Sequence, residues 1–237
     1  MNPHHQLLLA EIKKHSKATT KLADGYVGTQ SLQYHVANPD KWIIAKKWAK
    51  ENKDVSLERL LELLFSLNSG KSHDEKTLAG MIFFLFPKLR AQIKPTFLKN
   101  LLVNCQGWAE VDNLCQNNFV YQDFFNNWLV WEKAIHDFSN DKNVHIRRAS
   151  LVLLTGPVNY CPDKRLSNLA FENIDRLKSE KDILITKAIS WLLRSLIKFH
   201  REEVGKYLAE NHAILPKIAI SETTNKLKYG VKKKLTR

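Results

Sequence analysis

The stretch SLERLLELLFSLNSGKSHDEKTLAGMIFFLFP, residues 56–87, decides the fold. Behind Ser56 the leucines recur at steps of three and four, the spacing of one helical face. Gly70 punctuates that run, and Ser72 followed by Glu75 is a capping-box pattern that opens a second apolar run, closed by Pro87. The spacing predicts two helices joined by a short break.

The same punctuation recurs outward from this pair. Asn38-Pro39 precedes KWIIAKKWA, Pro162 precedes RLSNLAFENIDRL, and Ser179 or Asp182 precedes ILITKAISWLLRSLIKF. Helix starts fall about every 16 to 20 residues, so two helices make a unit at the short end of the HEAT and armadillo range. No strand run appears. The expected fold is all-α: stacked antiparallel helix pairs (HEAT-like repeats) forming a curved α-solenoid with a basic concave groove, residues 1–237 being one domain. Residues 22–39 lack helical periodicity and read as a loop that touches a partner. Residues 226–237 read as a solvated, frayed basic end.

Charge narrows the partner. The 237 residues carry 37 Lys+Arg against 24 Asp+Glu, a net +13, and residues 181–237 hold 13 Lys/Arg against 5 Asp/Glu. A polarised positive field suits a polyanion whose counterions are released on binding. Cys105, Cys115 and Cys161 are odd in number and lack CxxC spacing, which argues against a disulfide framework or a zinc cluster and fits a reducing cytoplasm. The nine histidines are scattered, so no metal site is expected. The opening apolar run is too short for a signal peptide, and none elsewhere spans a membrane.

Three constellations carry candidate chemistry. In GWAEVDNLC, Trp108 and Asp112 stand four residues apart and project from one helical face. An aliphatic residue would suit a core face better than Asp112, because an unpaired buried carboxylate is costly; the bland alternative is a half-buried indole beside a capping or salt-bridged acid. In NVHIRRASLVLL, Arg147 and Arg148 sit near the first turn of a buried helix, where a guanidinium can hold a phosphate bidentately or bridge to a surface acid. In ITKAISWLLRSL, Lys187, Trp191 and Arg194 follow at i, i+4 and i+7, two cations flanking an indole, although a tryptophan at such a position is often simply core.

Taken in order, GWAEVD, the Arg148-Ala149 step and TKAISWLLR resemble the DNA alkylation repair glycosylases of the AlkD type, a family of HEAT-like repeat proteins. The resemblance covers most of the chain. It implies that Trp108, Trp191 and Asp112 surround the sugar of a damaged nucleotide and that Arg148 contacts the DNA backbone. It also implies a groove that grips the backbone and leaves the lesion in or near the stack. One departure is Gly107, where relatives often carry an aromatic residue. The stretch 25–36 is similar to a family loop with a tyrosine, which makes Tyr26 a candidate contact.

These residue types suit cofactor-free hydrolysis. An N3- or N7-alkylated purine is already cationic and leaves without a general acid. The positive charge that develops on the sugar calls for a carboxylate and for indole faces. The expected function is therefore a monofunctional alkylpurine DNA glycosylase acting on duplex DNA as a monomer, in base excision repair. Two other classes stay open. One is a catalytically silent HEAT-like protein that binds damaged or branched DNA, and the other is a protein-interaction scaffold.

Overall fold

The computed structural model describes residues 2–17, 28–116 and 118–232, and among these every regular element is a helix. The chain divides into two compact units, Met1–Asn118 and Phe119–Arg237. The first holds α1 (Pro3–Lys14), α2 (Asn38–Glu51), α3 (Leu57–Asn68), α4 (His73–Phe84), α5 (Pro87–Arg90), α6 (Pro95–Leu102) and α7 (Trp108–Cys115). The second holds α8 (Tyr121–Asn126), α9 (Trp128–Ser139), α10 (Val144–Tyr160), α11 (Lys164–Leu177), α12 (Ile183–Leu196), α13 (Arg201–Glu210) and α14 (Lys217–Tyr229).

The deciding stretch forms α3 and α4 as its punctuation predicts. Ser56 caps α3 through the Arg59 amide, and Ser72 and Glu75 close a full capping box on α4. The leucine stripe of α3 (Leu60, Leu63, Leu64, Leu67) is buried. Helix α4 is buried nearly all round, from His73 to Phe83, because it is the central element of its unit: α1, α2, α3 and α7 all pack on it. That burial includes Asp74, Glu75 and Lys76, whose charges must then find partners. Glu75 accepts from His5 Nε2 at 2.8 Å, while His5 Nδ1 meets Ser66 Oγ at 2.9 Å, so one histidine pins α1 to both α3 and α4.

In the second unit, α10 is the hub, packed against α8, α9, α11 and α12, and α12 in turn packs on α14. Asp163 caps α11, and Asp182 rather than Ser179 caps α12 through the Leu184 amide at 2.8 Å. The basic end differs from expectation over its first part. Residues 226–229 continue α14, which stops at Gly230 in the left-handed conformation (φ 72°) that favours glycine. Residues 233–237 lie outside the described residues. Among the described residues, no helix is long and apolar enough to cross a membrane, and no three His, Cys, Asp or Glu side chains gather as a metal-binding group.

Candidate active site

In the first unit the candidate site begins at the start of α7. Its N-cap is Gly107, which offers no side chain, and the turn is held from inside by Glu110. This fully buried carboxylate accepts from the Gln106 amide (2.7 Å), Thr29 Oγ1 (2.7 Å) and His73 Nδ1 (3.1 Å). Burial alone pushes the Glu110 carboxyl up, but the hydrogen bonds from His73, Gln106 and Thr29 prevail and hold it below the usual carboxylate range. One acid thereby ties α7 to α4 and to the strap of residues 28–37.

That strap accounts for Gly107. A Cβ on Gly107 would lie 2.5 Å from the Gly28 carbonyl oxygen, and one on Gly28 would lie 2.7 Å from Trp108 Cδ1. Gly28 also has φ +62°, where a side chain is strained. At position 107, where the resemblance implies an aromatic side chain, the backbone of Gly28 and Thr29 stands against the glycine. Further along, the Tyr34 and Val36 amides both donate to Asp74, at 2.7 and 3.3 Å, with His35 between them in the left-handed region (φ 55°). Lys41 completes this buried cluster, its Nζ 3.6 Å from Asp74 and 3.1 Å from Thr77 Oγ1. Burial pulls the Lys41 ammonium below the ordinary lysine value, against the opposing pull of Asp74.

Helices α2 and α7 both pack on α4, and together with the strap they enclose a cleft of about 720 Å3 within the first unit. Trp108 and Asp112 both line it, the indole half-buried and Asp112 buried. The predicted one-turn spacing does bring this pair to one opening. Gly80 of α4 makes the approach possible, since a Cβ there would meet the Asn113 backbone carbonyl at 2.6 Å. The cleft is also lined by Trp42, Met81 and Phe84, none of which stood out in the sequence.

The remaining candidates lie in the second unit. Arg148 is buried and donates from Nη1 to the Leu184 carbonyl at 2.6 Å, tying α10 to α12. Arg147 spends its fork on Glu180 (2.7 and 3.0 Å) and on the carbonyls of Asp141 and Lys142. On α12, Lys187 is exposed, Trp191 is half-buried, and Arg194 lies 3.6 Å from Glu222, which also accepts from Ser190 at 2.6 Å. Burial draws the Glu222 carboxyl up, but Ser190, Lys232 and Arg194 hold it below its ordinary value. Tyr26 lies outside the described residues.

The first unit thus presents a helical-repeat cleft lined by an indole and a carboxylate, and the second an indole flanked by cations on one helix. A family model described as DNA alkylation repair enzyme matches residues 8–227, and the chain belongs to that family. Among solved structures, a predicted DNA alkylation repair enzyme from Enterococcus faecalis is similar in fold, with a TM-score of 0.70 at 17% identity. The alignment covers 96% of this chain and 97% of that one. Curated protein sequences give no match.

Proposed function

We propose that this member of the DNA alkylation repair family is a monofunctional glycosylase. Its reaction is hydrolysis of the N-glycosidic bond of cationic alkylated purines, of the 3-methyladenine and 7-methylguanine type, in duplex DNA. The observation that carries the reading is the shared cleft of Trp108 and Asp112, an indole and a carboxylate one turn apart on α7 that line the same opening.

The chemistry follows from charge. The C1′–N bond breaks with its electron pair passing to the purine, which leaves as a neutral base. Positive charge then appears at C1′ and the ring oxygen. Asp112 stabilises that charge and orients a water, whose oxygen bonds to C1′ as its proton passes to solvent. Trp108 offers its ring face to the cation, contributing about 0.5 to 2 kcal/mol depending on desolvation, and the family resemblance assigns the same role to Trp191. Lys187 serves as a phosphate contact. Arg147, Arg148 and Arg194 act one step back, as braces of α10 and α12 that set the position of Trp191.

The test is release of free 7-methylguanine or 3-methyladenine from methylated duplex DNA. The expected result is release by the wild type and a loss of at least about 100-fold in Asp112→Asn. DNA binding by the wild type with no base released would instead identify a catalytically silent DNA-binding protein.

A further inference from the structure

Three helix ends meet within the second unit. Tyr160 closes α10, Lys198 and Phe199 follow the last turn of α12, and Tyr229 closes α14. Side-chain contacts join these turns. Lys198 Nζ lies 5.3 Å from the centre of the Tyr160 ring and 5.1 Å from that of Phe199. Lys164, at the start of α11, bonds Glu203 of α13 at 2.7 Å, and Arg201, two residues after Phe199, donates to the Leu227 carbonyl in the last turn of α14. One ammonium thus holds two rings, yet Tyr160 is 65% exposed and Phe199 41%. A single ring in water needs no explanation, but two rings kept open around one cation form a surface fitted to a ligand.

The charge of this end selects that ligand. Residues 160–165, 198–203 and 226–232 hold seven Lys and Arg against three Asp and Glu. Two of those acids are already engaged, Asp163 by Arg165 and Glu203 by Lys164 and His200, which leaves Glu202 as the third. Helix C-termini present carbonyls, which on their own repel an anion. Here Arg201 bonds one of them, and Lys198, Lys226 and Lys228 bring cations to the same end. Ring faces joined to a surplus of cations suit a polyanion that carries flat, stackable groups, and a nucleic acid strand is such a polymer. Its bases must be unpaired, because in a duplex each base face is already covered by its neighbours in the stack. Membership of a DNA repair family makes DNA the strand in question.

We propose that Tyr160, Lys198 and Phe199 form a second nucleic-acid site, which takes a single-stranded stretch of DNA by stacking bases on the two rings while Lys198 meets the phosphate between them. The site shares no residue with the cleft of Trp108 and Asp112, so it stands whether or not that cleft releases bases.

The experiment measures fluorescence anisotropy of a labelled oligothymidine strand and of an abasic strand of equal length. Wild type, Tyr160→Ala, Phe199→Ala, the double variant and Tyr160→Phe are compared, with thermal melts to confirm folding. The expected result is that each alanine variant weakens binding of oligothymidine about five- to tenfold and the double variant weakens it further. Tyr160→Phe should stay within about twofold of the wild type, and all the proteins should bind the abasic strand alike. Equal binding of the two strands by the wild type, or alanine variants that keep oligothymidine affinity within about twofold, overturns the site. A loss that is the same on both strands also overturns it, because charge or folding rather than stacking is then responsible. Should Phe199→Ala melt far below the wild type, Tyr160→Ala decides, since that ring is the more exposed.

Discussion

The two units use the same residue types to different ends. In the first, Asp112 lines a cleft, while Glu110, Asp74 and Glu75 hold the strap, α1 and α4 in place. In the second the cations are the ones consumed. Arg147 is forked onto Glu180, Arg194 sits by Glu222, and Arg148 bonds a helical carbonyl, leaving Lys187 as the exposed cation of the Trp191 face. A charge count does not show which of the second unit's cations already hold a carboxylate or a carbonyl, and a motif reading does not show how much of the first unit is built around the cleft.

The division can be broken first at Asp112. If chemistry resides with the first unit's cleft, Asp112→Asn lowers base release by about 100-fold or more while duplex affinity in a filter or anisotropy assay is kept. A comparable loss in Lys187→Ala with Asp112→Asn active would invert the assignment. Next in size is the strap. Gly107→Ala drives a methyl group into the Gly28 carbonyl and should cost a few kcal/mol in a chemical melt, about 2 to 4, with a fall in activity because Trp108 shares that contact.

Glu110→Gln sharpens the picture through pH. The folded-state pKa of Glu110 is depressed, so the stability it contributes is present above the unfolded value of about 4.5 and disappears as pH falls through the lower folded value. The wild type should lose stability over that acid window. Glu110→Gln should start lower at neutral pH by about 2 kcal/mol and show a flatter acid limb in urea titrations at stepped pH. An unchanged acid limb would move the effect to another carboxylate, with Glu75 the next to test, because hydrogen bonds from His5 and Ser72 outweigh its burial and depress it too.

The smallest effects separate cations that bind from cations that brace. Lys187→Ala should reduce the slope of log affinity against log salt by about 1, whereas Arg147→Ala should leave the slope and lower stability by less than about 1 kcal/mol, its pair with Glu180 being partly solvated. A salt slope that moves with Arg147 and not Lys187 would show that the Glu180 fork opens to a phosphate.

Much of this was legible before any coordinates. Ser56, Ser72 with Glu75, and Asp182 marked helix starts because capping is local chemistry, settled within a single turn. The one-turn step from Trp108 to Asp112 put both on one face for the same reason. Trp42 escaped notice because in KWIIAKKWA it reads as one more apolar residue, and only the packing of α2 on α4 turns it toward Phe84. The pairing of Lys41 with Asp74, 33 residues on, and of Thr29 with Glu110 leaves no periodic trace. Gly107 looked like a missing aromatic until the strap was found against it.

By itself the sequence determined the helices, their paired rhythm and the ordered set Trp108, Asp112, Arg148 and Trp191 that carries the family resemblance, since these depend on neighbours within a few residues or on ordered motifs. Tertiary structure alone decided which partner each buried charge takes. Desolvation compels each buried ionic group to take a partner, and that partner is chosen by how the helices pack.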